Sequence, residues 1–189
     1  MQSVTHDGQR WSNADQDRVD LVEYDAQWPT LFEVEANRIR SALGGAIEFS
    51  LEHFGSTAIP GLAAKPIIDI MLIVADQSQW ARSVEPIKSL GYVFWADNPR
   101  PDRMFFVKGM PPFGQRRTHH IHVRTPTDAR APILFRDYLR RHPEEIVRYA
   151  ALKHELAERF PADRDAYTEG KKQFVGEIIG KAESSPETA

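Results

Sequence analysis

The apolar run from Ile67 to Ala75 contains one charged residue, Asp69, and this run constrains the fold more than any other feature. The run is rich in isoleucine and follows a proline, a pattern that predicts a strand buried in a sheet. An ionised carboxylate is costly to bury unless it is paired or binds a cation. Asp69 is therefore either a metal ligand or the partner of backbone N–H groups, of Lys65 or of an arginine, and the strand alone leaves these alternatives open.

The turn that precedes this strand is Gly55-Ser56-Thr57, and twelve residues separate Ser56 from Asp69. Glycine lets backbone N–H groups approach a phosphate closely, and a hydroxyl adds a further donor. A strand-borne aspartate facing such a turn could hold Mg²⁺ against a triphosphate, because Mg²⁺ binds a few carboxylates together with phosphate oxygens. The alternative is an ordinary turn with no ligand.

Charge and cysteine content exclude several classes of protein. The chain of 189 residues has a formal net charge of −3, so it lacks the basic field that nonspecific nucleic-acid binding requires, and any phosphate recognition must be local. It has no cysteine, which excludes disulfides and thiolate chemistry and fits a reducing compartment. The first residues lack a signal-peptide pattern, and no apolar run is long enough to span a bilayer. We therefore expect a cytoplasmic protein without membrane association.

Local patterns predict an α+β fold, with a mixed β-sheet flanked by helices and followed by a C-terminal helical segment. The predicted strands are "RVDLVEY", "AIEFSLEHF", "PIIDIMLIV", "YVFWA", "RMFFVKG" and "HHIHVRT". The predicted domain covers residues 19–181, with flexible tails at 1–18 and 182–189. Within the domain we place the sheet core at about 19–125 and the helical segment at about 130–181.

Two helices are predicted between the strands. "WPTLFEVEANRIRSALGG" ends on two glycines and places Leu31, Phe32, Ile39 and Leu43 at helical spacing. "SQWARSVEPIKSLGY" has a second apolar face and a glycine at its end. Three more helices are predicted from Ala131 onward, in "APILFRDYLRR", "HPEEIVRYAALKHELAERF" and "DRDAYTEGKKQFVGEIIGK".

A histidine pair in "THHIHVR" is the second candidate for chemistry. In a strand, His120 and His122 point to one face and His119 to the other. The pair could complete a metal site with Asp69, of a kind that suits zinc or a transition metal better than Mg²⁺, or act as general base and phosphate partner. The alternative is hydrogen-bonded structural histidines. A shared site requires Asp69 to lie within about 6 Å of one of the two histidines.

Basic and aromatic residues suggest how a phosphorylated ligand could bind. Lys65 and Arg103 lie near the candidate site in sequence and could clamp a polyphosphate, although solvated loop charges are the ordinary alternative. Two pairs at i,i+4 spacing would each share a helix face. In each pair the tyrosine could stack on a base while the lysine neutralises a phosphate, or both could serve helix packing. The pairs are Tyr149 with Lys153 and Tyr167 with Lys171.

The motif "HFGSTAIPGLAAKPIIDI" resembles the signature of the GrpB family, also called UPF0157, within the nucleotidyltransferase-fold superfamily. The segments "THHIHV", "FRDYLRRHPE", "YAALKHELA" and "YTEGKKQFV" resemble the same family in the same order, so that the resemblance covers about residues 19–181. It implies a nucleotidyltransferase-like mixed sheet, with Gly55 and Ser56 as the phosphate-side turn and Asp69 as the first metal-binding carboxylate.

The same resemblance exposes a gap in the acidic residues. The superfamily pattern has a second carboxylate two positions after the first, where this chain has Met71, and none of the candidate strands supplies an obvious third. Two-metal catalysis needs clustered carboxylates, so the usual two-metal site is incomplete.

The gap leaves more than one function open. One is metal-dependent transfer of a nucleotidyl group from an NTP to a small acceptor. A second is a non-catalytic module that binds a nucleotide or phosphometabolite, linked to coenzyme A by the family's occurrence in fusion with dephospho-CoA kinase. A third is a hydrolase or phosphotransfer site centred on His120 and His122. Each requires a small-molecule ligand, and none predicts an oligomeric state.

Overall fold

The computed structural model describes residues 4–6, 9–11, 18–96, 98, 101–110 and 114–185. Its centre is a five-stranded mixed sheet in the order β3-β4-β7-β6-β5, separate from a two-stranded hairpin of β1 and β2. The strands are β1 Val4–His6, β2 Gln9–Trp11, β3 Phe49–Phe54, β4 Ile68–Val74, β5 Tyr92–Phe94, β6 Met104–Lys108 and β7 His119–Arg124. The helices are α1 Trp28–Leu43, α2 Val84–Ser89, α3 Pro126–Arg141, α4 Pro143–Arg159, α5 Arg164–Glu169 and α6 Lys172–Ser184. The predicted α+β architecture is confirmed.

The register of the sheet decides which side chains share a face. Strands β4 and β7 are parallel neighbours, with Asp69 opposite His120 and Met71 opposite His122. All other neighbouring strands in the sheet are antiparallel. Because directly opposed residues point to the same side, these four side chains lie on one face, which we call the site face.

The opposite face of the sheet carries the main hydrophobic core. Its inward residues on β4 and β7 are aliphatic and fully buried, and they pack against α1 and the segment that contains α2. Because successive side chains of β4 point to opposite faces of the sheet, the strand buries aliphatic residues in the core and places Asp69 on the site face. The core side chains include Phe32, Ile39, Ile68, Ile70, Leu72, Trp80, Ile87, Phe106, Ile121 and Val123.

Helix α1 begins and ends where the sequence predicts. Pro29 lies in its first turn, and Gly44 adopts the left-handed conformation at its end and donates its N–H to the carbonyl of Arg40. The apolar face differs at one position, because Leu31 is exposed while Trp28 and Ala36 are buried. The prediction that Leu31 faces the core is therefore wrong, since the buried stripe is rotated by about one residue.

The second predicted helix is two shorter elements. Residues Gln77–Ser83 form a 3-10 helix that Asp76 caps, and α2 follows directly. Pro86 lies within the first turn of α2, where its missing N–H costs no hydrogen bond. The apolar residues still face the core, with Trp80 and Ile87 buried, so the predicted periodicity is correct although the helix type is not.

Helix α3 covers the site face of the sheet, where it contacts β3, β4 and β7, and it packs on α6. It begins at Pro126, five residues before the predicted helix "APILFRDYLRR", because Thr125 caps it by accepting the N–H of Asp128. The buried Arg136 anchors α3 to β3, since it donates to Glu52 and to the carbonyl of His53, both at 2.7 Å. The last predicted helix is split into α5 and α6 at residues 170 and 171.

The predicted strand "RVDLVEY" is wrong. It makes only one bridge, between Val22 and Ala64, and Val22 is exposed. The alternation has another cause, because Val19 packs with Leu156 and Tyr167 instead of joining the sheet.

The termini differ in part from the predicted tails. Strands β1 and β2 pair within residues 1–18, and α6 continues to Ser184, beyond the predicted boundary at 181. Residues 186–189 lie outside the described part of the chain, and the flexibility of both tails stays a prediction. Over the residues that the structure describes, no helix combines the length and the hydropathy needed to cross a bilayer.

Candidate functional site

Asp69, His120 and His122 meet on the site face. The Oδ1 atom of Asp69 lies 3.0 Å from Nδ1 of His120 and 3.7 Å from Nε2 of His122. The contact with His120 is a hydrogen bond, whereas the distance to His122 is too long for one. The predicted proximity of the aspartate to the histidines is confirmed for both. Parallel pairing of β4 and β7 causes it, because the register sets Asp69 directly beside His120.

Gly55 brings the turn against the second oxygen of the same carboxylate. It has a φ of 72° and a ψ of −170° and immediately precedes a short 3-10 helix, Ser56–Ala58. A Cβ at position 55 would lie 2.5 Å from Oδ2 of Asp69, so only glycine allows this approach. The two oxygens of Asp69 therefore have different surroundings, with the histidines at Oδ1 and the Gly55 turn at Oδ2.

Burial and charge fix the protonation of this cluster. Burial tends to raise the pKa of the Asp69 carboxyl, but its interactions with His120 and His122 outweigh burial and hold the pKa well below its usual range. Burial lowers the pKa of His120 to about 3 and that of His122 to about 4, although Asp69 opposes both shifts. At neutral pH the site therefore contains one carboxylate and two neutral imidazoles.

Arg103 contacts the far side of His122. Its Nη1 lies 2.8 Å from Nδ1 of His122, and its guanidinium stacks over the ring of Phe105 at 4.7 Å. Phe105 also packs edge-on against both histidines, with ring centroids 4.8 Å from His122 and 5.0 Å from His120. The structure places the guanidinium of Arg103 on a histidine of the site, and its predicted role as a phosphate clamp stays a prediction.

Asp69, His120 and His122 form a candidate site for a single cation. Within the described ranges, Asp69, His120 and His122 are the one group of three or more His or acidic residues whose ligand atoms all lie within 4.8 Å of one another. Nε2 of His120 is buried and has no hydrogen-bond partner among the residues that the structure describes. A carboxylate with imidazoles suits zinc or a transition metal, whereas Mg²⁺ prefers oxygen ligands.

A second carboxylate does reach the site face, and the sequence reasoning missed it. Glu52 lies on β3 opposite Met71, whose side chain is fully buried. The alternation in "AIEFSLEHF" could have revealed it, because that pattern places Glu52 on the same face as Phe54, the partner of Asp69. Arg136 binds Glu52 at 2.7 Å, so this carboxylate stabilises α3 against the sheet.

The side chains of Lys65 and Lys171 both lie near the ring of Tyr167. The Nζ atoms of Lys65 and Lys171 are 5.4 Å and 4.2 Å from the ring centroid of Tyr167, which is buried. Burial lowers the pKa of Lys65 to about 7 and that of Lys171 to about 8, and Asp69 partly opposes both shifts. Two partly buried ammonium groups therefore share the neighbourhood of one carboxylate.

In the other predicted pair, Tyr149 and Lys153, both side chains are buried. Lys153 is buried, donates to the carbonyl of Ala63 and lies 5.0 Å above the ring of Tyr149. Burial lowers the pKa of Lys153 to about 7, and Lys171 adds to the shift. Burial raises the pKa of the Tyr149 phenol, and a hydrogen bond with Ser56 opposes this, so Tyr149 links the helices to the Gly55 turn.

The i,i+4 spacing was a correct guide to proximity but not always to a shared helix. Tyr149 and Lys153 lie on α4, as predicted. Tyr167 lies on α5, while Lys171 lies in the turn between α5 and α6. Both rings pack in the core between elements, which fits the packing alternative for the tyrosines.

Thr57 stands apart from the other predicted phosphate-binding residues. Its side chain is buried, its Oγ1 donates to the carbonyl of Ile67 at 3.3 Å, and it lies 3.1 Å from Nε2 of His53. These contacts tie the turn to the start of β4. Gly55 contacts Asp69, and the charge of Asp69 acts on Lys65, Tyr149 and Lys171. The other predicted residues contact members of this group: Ser56 and Lys153 contact Tyr149, and Tyr167 contacts Lys65 and Lys171.

The arrangement of the sheet and helices is that of the nucleotidyltransferase-like fold. A solved structure described as Cid1 poly(U) polymerase with MgGTP bound superposes with a TM-score of 0.52 at 17% identity, over 72% of this chain and 44% of that one. This likeness concerns the fold alone.

Within that fold, the chain belongs to the GrpB family. The family described as GrpB protein matches residues 18–181. The crystal structure of the conserved protein GrpB from Enterococcus faecalis gives a TM-score of 0.75 at 31% identity, covering 86% of this chain and 96% of that one. A UPF0157 protein of Pseudomonas aeruginosa is 53% identical over 176 residues, which are 93% of this chain and 72% of the relative.

A more distant relative bears a functional name. It is a dephospho-CoA kinase of Mycolicibacterium paratuberculosis, 29% identical over 187 residues. The match covers 87% of this chain and 46% of the kinase, so this chain spans about half of that protein.

Proposed function

We propose that this protein binds a nucleoside triphosphate or a related phosphometabolite together with a divalent cation at Asp69. The close approach of Gly55 to Oδ2 of Asp69 carries the proposal, because it brings the backbone of the turn beside a carboxylate oxygen that could bind a cation. Such a pair suits a cation that bridges a carboxylate and phosphate oxygens. The imidazoles beside Oδ1 would also accommodate a transition metal.

The lysines support an anionic ligand. Lys65, Lys153 and Lys171 each have a lowered pKa through burial, and Lys171 contributes to the shift at both of the others. Charges of one sign that are held together out of water favour an anion that neutralises them. A polyphosphate would do so while its terminal oxygens reach the cation at Asp69. This field is local, consistent with a chain whose net charge is −3.

Transfer of a nucleotidyl group to a small acceptor is the second candidate. The cluster of Asp69 with His120 and His122 favours it, because a neutral imidazole could accept the acceptor's proton. The fully buried Met71 and the ion pair that occupies Glu52 argue against a two-metal site of the usual kind. A cation, when bound, would polarise the phosphoryl oxygens, and Lys65 would balance developing negative charge.

A CoA-related nucleotide belongs among the ligands to test, because a relative is named dephospho-CoA kinase. The cytoplasmic location inferred from the sequence stays a prediction.

Calorimetry with ATP in the presence of Mg²⁺ or Mn²⁺ tests binding. We expect Asp69→Asn to weaken cation-dependent ATP binding on the order of tenfold or more, a loss of about 1.4 kcal/mol or more. Asp165→Asn, an exposed position on α5, is the matched control and should leave binding unchanged. Equal affinity of the wild type and Asp69→Asn would overturn the proposed cation site, and the absence of ATP binding by the wild type would overturn the nucleotide ligand.

Pyrophosphate release over a panel of small acceptors tests transfer. Release that requires both the acceptor and Asp69 supports the transferase. Cation-dependent binding without release over the panel supports the binding module.

A further inference from the structure

Two arginines of α3 hold the Gly55 turn at both ends. Nη1 of Arg136 donates to the carbonyl of His53 at 2.7 Å, just before the turn. Nε of Arg140 donates to the carbonyl of Ala58 at 2.9 Å, at the end of the turn. The two arginines are four residues apart, so both extend from the same side of α3. One helix therefore fixes the start and the end of the turn.

Asp137 keeps the two guanidinium groups in place. Its Oδ1 lies 2.7 Å from Nε of Arg136 and 3.7 Å from Nη1 of Arg140, and its Oδ2 accepts from Nη2 of Arg136 at 3.1 Å. This carboxylate balances two like charges that would otherwise repel each other. The segment "FRDYLRRHPE" supplies all three residues. Since a charged donor makes a stronger hydrogen bond than a neutral one, the arginines are well suited to hold backbone carbonyls.

The two arginines differ in their other contacts. Arg136 is buried and also binds Glu52, so its loss would disturb the junction of α3 and β3. Arg140 contacts Asp137 and the carbonyl of Ala58, and its side chain is 39% exposed. Substitution of Arg140 therefore releases the turn with less disturbance of the sheet.

We infer that Arg140 is a positioning residue for the proposed ligand site, because it holds the end of the turn so that Gly55 stays against Oδ2 of Asp69. This inference rests on the proposed function in treating the contact between Gly55 and Asp69 as part of the ligand site. A turn that leaves its position for part of the time binds the ligand only while it is in place, which lowers the apparent affinity in proportion. Arg140 acts through the backbone and needs no contact with the ligand.

Two hydrogen bonds within the turn report on its conformation. The N–H of Ala58 donates to the carbonyl of Gly55, and the N–H of Ile59 donates to the carbonyl of Ser56, both at 3.2 Å. Their amide hydrogens exchange with solvent when the turn opens locally, whether or not a ligand is present. Exchange of these two amides therefore measures the hold on the turn directly.

Amide hydrogen exchange of the ligand-free protein is the first test. We expect Arg140→Met to speed exchange at Ala58 and Ile59 by about fivefold, within the range for the net contribution of one hydrogen bond. Arg140→Lys, which keeps a cationic donor, should restore most of the protection. Arg130→Met, which removes the same charge from an exposed position on α3, should change neither amide. Unchanged exchange in Arg140→Met would overturn the inference, and so would faster exchange throughout the protein, since that would show a loss of global stability.

Calorimetry with ATP and Mg²⁺ tests the consequence for the ligand. Arg140→Met should weaken ATP binding by about threefold, because the turn is in place for a smaller part of the time. Arg140→Lys should recover the affinity, and Arg130→Met should retain it. Direct attraction between charges is screened by salt, so the loss in Arg140→Met should persist at about 0.5 M salt.

Two results would overturn the positioning role. One is a loss of affinity that disappears at high salt, which would assign the effect to charge. The other is an unchanged affinity in Arg140→Met together with faster exchange of the turn. Failure of the wild type to bind ATP would count against the proposed function alone, because exchange of the turn is measured without a nucleotide.

Discussion

Gly55 lies directly against the carboxylate of Asp69, where a Cβ would be only 2.5 Å from Oδ2. The first prediction is that Gly55→Ala weakens cation-dependent ATP binding on the order of tenfold or more. The added methyl group must displace either the turn or the carboxylate, and its backbone conformation is strained for alanine, with a cost of about 1–3 kcal/mol.

Gly61→Ala separates the steric effect from backbone strain. Gly61 also has a positive φ, 79°, but a Cβ there would meet no atom within 4 Å. Its variant should lose stability in thermal denaturation and keep its affinity for ATP. A loss of affinity in Gly61→Ala as large as that in Gly55→Ala would contradict the role assigned to the Gly55 contact.

Lys171→Met is predicted to weaken ATP binding by about tenfold, because it removes a charge that lies near Asp69 and over Tyr167 while keeping an unbranched side chain. Lys172→Met is the matched control, since Lys172 is adjacent in sequence, 68% exposed and paired with Glu169. Calorimetry at two salt concentrations should show a weaker salt dependence for Lys171→Met only. Equal losses in the two variants would assign the effect to overall charge.

The lysines also predict how affinity and stability depend on pH. Burial lowers the pKa of Lys65 and Lys153 to about 7 and that of Lys171 to about 8, from 10.5. Between about pH 7 and 10 the unfolded chain therefore binds more protons than the folded one, so this group of lysines makes stability rise with pH. Affinity for ATP should fall over the same range, because the ammonium groups that attract phosphate lose their protons.

Thermal denaturation and calorimetry at pH 6.5, 8 and 9 check both trends. Lys171→Met should flatten the two profiles and Lys172→Met should not. A melting temperature that falls from pH 6.5 to 9, or an affinity that rises, would contradict the predicted signs.

Arg136→Met is predicted to lower the free energy of unfolding by about 1–3 kcal/mol, the range for leaving a buried polar group without its hydrogen-bond partner, since Glu52 is partly exposed. The substitution leaves Glu52 and the carbonyl of His53 without their donor at the junction of α3 and β3. Urea denaturation measures the change. Arg130→Met, on the exposed side of the same helix, should stay within about 0.5 kcal/mol of the wild type, and a similar loss in both variants would refute the anchoring role.

The sequence predicted the strands of the central sheet and the face on which each site residue lies, because both depend on short-range patterns. Alternation in "HHIHVR" placed His120 and His122 on one face, and the single carboxylate in β4 identified Asp69. The register that sets Asp69 beside His120 is a long-range property of the sheet. The resemblance to the GrpB family implied only the kind of sheet, a nucleotidyltransferase-like mixed sheet.

Other features depend on contacts that no local pattern contains. "RVDLVEY" has the alternation of a strand, yet Val19 packs against α4 and α5, so tertiary packing overrides the pattern. The contact of Arg103 with His122 joins residues 19 positions apart, one just before β6 and the other in β7. The sequence pattern places Glu52 on the solvent-facing side of a half-buried strand. Its contact with Arg136 depends on the position of α3, which that pattern does not contain.

Parallel pairing of β4 with β7 has a consequence for synthesis of the chain. The residues between these strands include α2, β5 and β6. The ribosome therefore adds about fifty residues after Asp69 before it adds His120, the partner of Asp69. Lys171 follows about fifty residues later still. A nascent chain released before α6 would carry the carboxylate and both imidazoles without Lys171, and such contacts between distant segments slow folding. The proposed ligand site can therefore be complete only after the last helices of the chain have been synthesised.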